Sequence, residues 1–207
     1  MKFSFTHNTL TFEGDDVIPD SKASFLSTYS FSEVNTKTIP GFFEVKVRNI
    51  KDIVSLADYL KSQKYLLDYT SAMLLFYQTN ELLLKLKEVG LYVPVFHIKD
   101  FIVLSDGEKI WFVYVGLSEK TIFRAIDGDI IVPLNTDDVG AFFSPELGIK
   151  RLPLKVADPY GCSVYAAGVL VKTCFCGDVD GNLDEIYATK LYWALMRAIT
   201  ERKYLIV

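Results

Sequence analysis

The sequence has very little glycine in its first part, and this limits the nucleotide sites that it could form. Of its 12 glycines, only Gly14 and Gly41 precede Gly90. A loop that cradles phosphates needs several glycines close together, because its backbone must approach the phosphates and adopt left-handed conformations. The first 89 residues therefore do not supply a glycine-rich phosphate loop.

Long basic runs and long apolar runs are also missing. No run of lysine and arginine exceeds two residues and the net charge is -4, so we expect no nucleic-acid partner. The longest apolar run after Tyr160, VYAAGVLV, ends at Lys172, far short of the roughly 20 residues that a membrane-spanning helix requires. The N-terminus alternates polar and apolar residues, unlike a signal peptide. We expect no direct membrane insertion.

Cysteine and histidine are too sparse for the common metal and disulfide frameworks. The three cysteines are an odd number, and Cys174 and Cys176 do not have the C-x-x-C spacing. In the acidic loop GDVDGNLDE, residues 177–185, the glycine is the fourth residue counted from Asp178 and not the sixth, as an EF-hand would require. We therefore expect reduced, buried thiols and a cytoplasmic location. The loop over residues 177–185 should be solvated. We expect no metal and no cofactor.

What is present is apolar and aromatic: 50% of the 207 residues are hydrophobic and 14% are aromatic, enough for one sizeable core or two small lobes. Period-two alternation over residues 2–12 predicts a hairpin that turns at His7-Asn8, and residues 41–47 predict another strand. Asn49 is predicted to cap a helix over residues 50–62, because apolar residues recur there at helical spacing.

The rest of the chain predicts helices with short strands between them. A long apolar helix over residues 66–89 should end at Gly90, and Asp158 followed by proline should begin a buried helix that reaches about Cys176. Further elements are a last helix over 183–200, strands at 93–96, 101–104 and 110–115, and a hairpin over 123–134 that turns at Asp127-Gly128.

Residues 96–116, FHIKDFIVLSDGEKIWFVYVG, consist of two apolar runs around the turn Ser105-Asp106-Gly107-Glu108. Preceded by a long helix, this order resembles the protein kinase-like fold, with Tyr114-Val115-Gly116 at the D-F-G motif. Ser144-Pro145-Glu146 is similar to the A-P-E motif, Asp158 to the aspartate that opens the central helix, and Arg202 to the late arginine that pairs with the A-P-E glutamate.

This resemblance covers about residues 60 to 207 and implies a fold. It implies an α+β, protein kinase-like architecture, with a reduced β-rich N-lobe over residues 1–64 and a mainly helical C-lobe over residues 65–207. The two parts would form one compact two-lobed unit. Glu146, Asp158 and Arg202 would have structural roles, with Glu146 and Arg202 forming a charge-assisted pair. The alternative is that both are surface charges.

The same resemblance implies where the side chains for phosphoryl transfer would lie. That chemistry requires a lysine for the phosphates, an aspartate for the nucleophile, and an asparagine and an aspartate for magnesium. Lys46 is the candidate lysine, and a solvated strand lysine is the alternative. No glutamate that would pair with it is clear, although Asp52 or Asp58 lies on the helix predicted to follow. Tyr114 replaces the magnesium aspartate, and Gly116 keeps the glycine of that motif.

The register of the segment that resembles the catalytic loop is open. The metal-binding asparagine position falls on Asp100, Phe101 or Ile102, and the catalytic aspartate position falls correspondingly on Val95, Phe96 or His97. No register supplies a carboxylate base. As a general base, His97 has no identifiable nucleophile beside it, so we expect a structural histidine.

We therefore expect a catalytically inactive, pseudokinase-like domain that acts as a protein-binding or scaffold module and does not bind ATP. It is similar to the cytosolic pseudokinase domain of the membrane-anchored scaffold subunit of type VII secretion systems, although no membrane helix follows here. The alternative is a divergent ATP-dependent kinase or nucleotide-binding enzyme that uses Lys46, Asp100 and Asp106 on an altered metal site. An unrelated α+β domain, without the Glu146–Arg202 pair, is the third interpretation.

Overall fold

The computed structural model describes residues 2–6, 9–13, 32–39, 42–47, 49–116, 122–126, 130–132, 141–148, 154–156, 158–178 and 180–200. In these residues the fold is α+β, as expected: four α-helices are combined with small antiparallel sheets.

The first sheet has four antiparallel strands, β1 (Lys2–Thr6), β2 (Thr9–Glu13), β3 (Ser32–Ile39) and β4 (Phe42–Val47), in the order β1-β2-β4-β3. The predicted N-terminal hairpin is confirmed, with Thr6 opposite Thr9, while its turn lies outside the described residues. Strand β4 is confirmed as well. Sequence reasoning missed β3, because only two of its eight residues are apolar.

A three-stranded sheet contains β5 (Asp52–Ser55), β8 (Phe101–Ser105) and β9 (Ile110–Tyr114), in the order β5-β8-β9. The predicted helix over residues 50–62 is therefore wrong in its first half. Ile53 and Val54 are β-branched residues, which suit strands, and they lie opposite Leu104 and Val103 of β8. Pairing with a strand that is distant in sequence overrides the helical spacing.

The helix that does form here is α1 (Leu56–Ser62), and it begins at Ser55 instead of Asn49. The Ser55 hydroxyl accepts a hydrogen bond from the Asp58 N–H at 3.0 Å and donates to the Asp58 carboxylate at 2.7 Å. Asn49 is in the left-handed region, with φ of 57°. A side-chain cap of this kind satisfies an N–H group that has no partner inside the helix.

Helix α2 (Tyr69–Glu88) is the long helix predicted from its apolar composition. It begins later than predicted, because the Asp68 carboxylate accepts a hydrogen bond from the Ser71 N–H at 2.7 Å and caps the first turn. Its end is confirmed: Gly90 follows the helix with φ of +70°, a conformation that favours glycine. One face of α2 is buried in the core, including Leu75, Leu82 and Leu83.

Helix α3 (Pro159–Cys176) is confirmed at both ends, with the Asp158 carboxylate accepting a hydrogen bond from the Gly161 N–H at 3.0 Å. The last helix, α4 (Lys190–Thr200), begins later than predicted. Residues 184–186 form a short 3-10 turn, and Ala188 has φ of 62°. The Thr189 hydroxyl then accepts a hydrogen bond from the Tyr192 N–H at 3.2 Å, so the helix begins after that residue.

Six short strands form three antiparallel pairs. They are β6 (Leu91–Tyr92) with β10 (Phe123–Arg124), β7 (Val95–Phe96) with β12 (Phe142–Phe143), and β11 (Ile130–Val132) with β13 (Leu154–Val156). For the predicted hairpin over residues 123–134, the described strands β10 and β11 have the partners β6 and β13, so a pairing of β10 with β11 stays a prediction. Its turn, Asp127-Gly128, lies outside the described residues. Such short strands depend on tertiary partners, since isolated hairpins are only marginally stable.

One large hydrophobic core connects these elements. It contains Leu10 and Val47 of the first sheet together with buried residues of α2, α3, α4 and the three-stranded sheet. A smaller cluster consists of Ile130, Leu147, Val156 and Cys162. Of the helices described, none combines the length and the apolar character that crossing a bilayer would require.

A side chain of α2 closes the outer edge of β9. The Gln78 Oε1 atom accepts a hydrogen bond from the Phe112 N–H at 2.7 Å, and Phe112 is on an edge strand of the three-stranded sheet. An edge N–H that is covered by a helix cannot use water as an acceptor, so a side chain must supply one. Gln78 therefore joins the long helix to the sheet.

We expect Gln78→Met to lower the free energy of unfolding by about 1 to 3 kcal/mol, because it keeps the volume but leaves a covered N–H without an acceptor. Gln78→Glu, which keeps an acceptor oxygen, should lose less. Urea denaturation of both variants measures this difference. Equal stabilities for the two variants would show that the hydrogen bond to Phe112 does not matter.

Helix α1 ends in a Schellman motif that lacks its usual glycine. The Tyr65 N–H donates to the Leu60 carbonyl at 2.6 Å, and the Lys64 N–H donates to the Lys61 carbonyl at 3.2 Å. Lys64 consequently has φ of 58°, a conformation that costs a residue with a β-carbon about 1 to 2 kcal/mol.

Replacing this lysine by glycine, Lys64→Gly, should raise the free energy of unfolding by about 0.5 to 1 kcal/mol. Removing the strain of the left-handed conformation stabilises the folded state by more than the higher entropy of the glycine-containing unfolded chain destabilises it. The matched control is Gln63→Gly. Gln63 has φ of -92°, so glycine relieves nothing there and should be destabilising. Thermal unfolding distinguishes the two, and a less stable Lys64→Gly variant would contradict the expectation.

Candidate functional site

The fold brings most of the predicted site positions into one place. The 3-10 turn Ile98–Asp100 follows β7 directly and leads into β8, whose first residue, Phe101, lies opposite Tyr114 at the end of β9. The Val115 N–H donates to the Asp100 carbonyl at 2.7 Å. The segments that resemble the catalytic loop and the D-F-G motif are therefore neighbours.

Three aromatic side chains fill this place, and we call Phe96, Phe101 and Tyr114 the aromatic cluster. Their ring centroids are 5.7 Å apart for Phe96–Phe101, 5.3 Å for Phe96–Tyr114 and 5.2 Å for Phe101–Tyr114. Each side chain is at most 1% exposed. Rings at such distances are in direct contact, so the cluster is part of the packed core.

The Tyr114 side chain leaves room only for glycine at position 116. A β-carbon built on Gly116 would lie 2.5 Å from the Tyr114 hydroxyl oxygen and 3.0 Å from the Asp100 β-carbon. No residue with a β-carbon fits there without displacing its neighbours. The Tyr114 side chain therefore lies over Gly116, and its hydroxyl group lies beside Asp100.

The remaining positions of the catalytic-loop segment are mostly buried too. Val95 and Asp100 are half-buried, whereas His97 and Ile102 are buried. The His97 carbonyl accepts a hydrogen bond from the Asp100 N–H at 3.0 Å, which forms the 3-10 turn. Ser144, the first residue of the segment that is similar to the A-P-E motif, is fully buried directly after β12. The sequence did not predict this burial.

Lys46 belongs to β4 of the first sheet and not to the segments that carry the aromatic cluster. It is exposed and lies opposite Thr9 of β2. Of its two candidate partners, Asp52 is on β5, and Asp58 is bound by the Lys61 ammonium at 2.9 Å. The hydrogen bond from Ser55 and then the Lys61 charge lower the pKa of Asp58. Its carboxylate is therefore already engaged within its own helix.

Asp100 and Asp106 lie at opposite ends of β8. They are six positions apart in the sequence, which corresponds to about 20 Å along an extended strand. Asp106 is at the hairpin turn, where its carboxylate accepts hydrogen bonds from the Lys109 N–H at 2.7 Å and the Glu108 N–H at 2.8 Å. These two bonds lower the pKa of Asp106. Asp100 and Asp106 cannot ligate one metal ion, because a shared ion needs both within a few ångströms.

The three predicted structural residues are only partly described. Asp158 caps α3, and its side chain is exposed, which differs from the buried carboxylate of a kinase-like arrangement. Glu146 belongs to the 3-10 turn Pro145–Gly148. The Glu146 side chain and Arg202 lie outside the described residues. The pairing of Glu146 with Arg202 therefore stays a prediction.

Nothing in the described parts of the chain assembles three or more histidine, cysteine, aspartate or glutamate side chains around a common point. Cys162 and Cys174 are buried cysteines outside any disulfide, and burial raises the pKa of Cys174 to about 12. Cys176 is half-buried, and its thiol donates to the Asn182 carbonyl at 3.2 Å. A thiol that is held protonated by burial is a poor nucleophile and a poor metal ligand.

No protein-family model matches the chain, and a search of curated proteins gives no match.

We expect Tyr114→Ala to lower the free energy of unfolding by about 3 to 5 kcal/mol, because it removes a buried ring and leaves a cavity. Tyr114→Phe keeps the ring and should cost no more than about 1.5 kcal/mol. Chemical denaturation of the two variants measures both values. A loss below about 1 kcal/mol for Tyr114→Ala would be inconsistent with a packed aromatic cluster.

Proposed function

We propose that the chain is a catalytically inactive, protein kinase-like domain that works by binding other proteins. The observation that carries this proposal is the aromatic cluster. Tyr114 occupies the position where the resemblance would place the magnesium aspartate in every register, and Phe96 and Phe101 occupy the catalytic aspartate and metal-binding asparagine positions in the middle one of the three registers. Buried rings in contact with each other leave those positions without the charges that phosphoryl transfer requires.

Electrostatics support the inactive assignment. Phosphoryl transfer depends on magnesium ions that neutralise the triphosphate, and these ions are held by a carboxylate and an amide of the protein. Here the D-F-G aspartate position carries the buried Tyr114, and Asp100 is the one carboxylate beside it among the residues of that segment. Losing one preorganised electrostatic group alone costs several kcal/mol of transition-state stabilisation.

Exposed apolar side chains support the binding role. Leu84 on α2 is 49% exposed, and Trp193 on α4 is 52% exposed. Large aromatic residues are enriched in protein interfaces, where they contribute much of the binding free energy. A cytoplasmic location is part of the proposal, because none of the three cysteines is in a disulfide and reduced cysteines persist in that compartment.

The test is thermal unfolding with and without millimolar ATP and Mg²⁺. We expect no change in Tm. A nucleotide present at 100 times its Kd would stabilise the folded state by about 2.7 kcal/mol, which raises the Tm of a chain of this size by about 5 to 10 °C. Such a rise would favour the alternative, a divergent nucleotide-binding enzyme.

Two variants show whether a rise in Tm with ATP and Mg²⁺ depends on Lys46 and Asp100. Lys46→Ala and Asp100→Asn remove the remaining charged groups that an altered site could use. If ATP stabilised the native chain and both variants lost that effect, the inactive assignment would be wrong. Lys109→Ala, at the exposed hairpin turn, is the matched control for loss of one surface charge.

A further inference from the structure

Three aromatic residues form an exposed surface at the start of α4, and we call Tyr187, Tyr192 and Trp193 the aromatic platform. The ring centroids are 5.0 Å apart for Tyr187–Tyr192 and 5.1 Å for Tyr192–Trp193, both in edge-to-face arrangement. Tyr187 is 65% exposed and Trp193 is 52% exposed. Exposed rings in contact with one another form an apolar patch, and aromatic residues are enriched in protein interfaces.

The backbone on both sides of Ala188 orders the platform. The Tyr187 N–H donates to the Asp184 carbonyl at 3.1 Å, and the Trp193 N–H donates to the Thr189 carbonyl at 3.2 Å. Ala188 has φ of 62° and turns the chain between the 3-10 turn and α4. A surface whose backbone is already ordered loses little entropy on association, so this arrangement favours binding.

Charged side chains of opposite sign lie at the two ends of the platform. Asp184 and Glu185 are exposed and belong to the 3-10 turn that precedes Tyr187. Arg197 is exposed and lies four residues after Trp193, on the same face of α4. Along the chain, this surface is therefore acidic first, aromatic in the middle and basic last.

The surface as a whole has no strong net charge. Its two acidic side chains are matched by two basic ones, because Lys190 is also exposed, three residues before Trp193 on the same helix face. Lys172 of α3 lies near Glu185, since both act electrostatically on the pKa of the Cys176 thiol. Such a surface favours neither a strongly basic nor a strongly acidic partner.

We propose that the aromatic platform is the contact surface between two copies of this chain related by a twofold axis. In such an interface both copies use the same patch, so the patch must be complementary to itself. A rotation of 180° about the centre of the platform brings the acidic end of one copy opposite the basic end of the other. This symmetry is the physical reason for a second copy as the occupant.

Each copy then contributes the same contacts. Arg197 of one copy faces Asp184 and Glu185 of the second copy, and the reverse contact occurs on the other side of the axis. The rings pack at the centre, where aromatic residues contribute most to binding. Lys190 lies near the axis, where its ammonium group faces the rings of the second copy.

The dimer should be weak. The platform and its charged neighbours are few compared with the roughly 20 to 30 residues that each partner contributes to a stable interface. Self-association goes beyond the proposed function and does not rest on it, because an inactive domain and an active enzyme can both associate through this surface.

Sedimentation velocity of the whole chain, from micromolar to near-millimolar concentration, tests for the dimer. We expect the sedimentation coefficient to rise with concentration. Trp193→Ala should raise the Kd of the dimer about tenfold or more, because truncating a central aromatic residue of an interface has an effect of this size. A chain that stays monomeric throughout, or a dimer that Trp193→Ala leaves unchanged, would overturn the inference.

Charge-reversal variants test the twofold geometry. Arg197→Glu, and the double variant Asp184→Lys with Glu185→Lys, should each weaken the dimer, because like charges then face each other at both ends. An equimolar mixture of the two variants should dimerise again, since each acidic end is then opposite a basic end. A mixture that remains monomeric contradicts the twofold arrangement.

Matched controls reverse exposed charges elsewhere. Lys109→Glu at the β8–β9 turn matches the single variant, and Glu81→Lys with Glu88→Lys on α2 matches the double variant. Both should leave the dimer unchanged, and a control that weakens it as much as its matched variant would contradict the proposed surface. Far-UV circular dichroism confirms that each variant is folded. The inactive assignment fails on the nucleotide measurement instead, whatever the state of association.

Discussion

The contact on which the candidate site depends is the packing of Tyr114 against Phe96 and Phe101 and over Gly116. This contact joins Tyr114 at the end of β9 to Phe96 of β7 and Phe101 of β8. Backbone hydrogen bonds connect the same segments. A side chain that is 1% exposed and touches two other buried rings contributes to the core like any large aromatic residue. An ionised carboxylate at the same position would be costly there, because it would be buried without a matching charge.

The strands and helices around the candidate site are held together without charged groups at that site. The hairpin β8–β9 is held by its own ladder, by Gln78 from α2 and by the pairing of β5 with β8. None of these interactions requires a charged group at the site.

Local signals predicted the ends of elements well wherever a specific side chain or glycine determines them. Asp158 with Pro159 marked the start of α3, and Gly90 marked the end of α2, because a capping carboxylate and a left-handed glycine act within a few residues.

The segment over residues 50–55 was predicted as a helix and is a strand. Its apolar spacing suits both, and its partner, β8, lies about 50 residues further along the chain. The pairs β6–β10 and β11–β13 could not be predicted for the same reason.

At the site, the residue identities are enough to show which chemical groups are absent: a glycine-rich loop in the first 89 residues and, under every register, a carboxylate at position 114. These are properties of residue identity, so no fold can change them. The tertiary structure alone decided that Phe96, Phe101 and Tyr114 touch, that Asp100 and Asp106 are at opposite ends of a strand, and that Tyr187 and Trp193 are exposed. Contact and exposure depend on how distant segments pack, and periodicity within one segment carries no information about that.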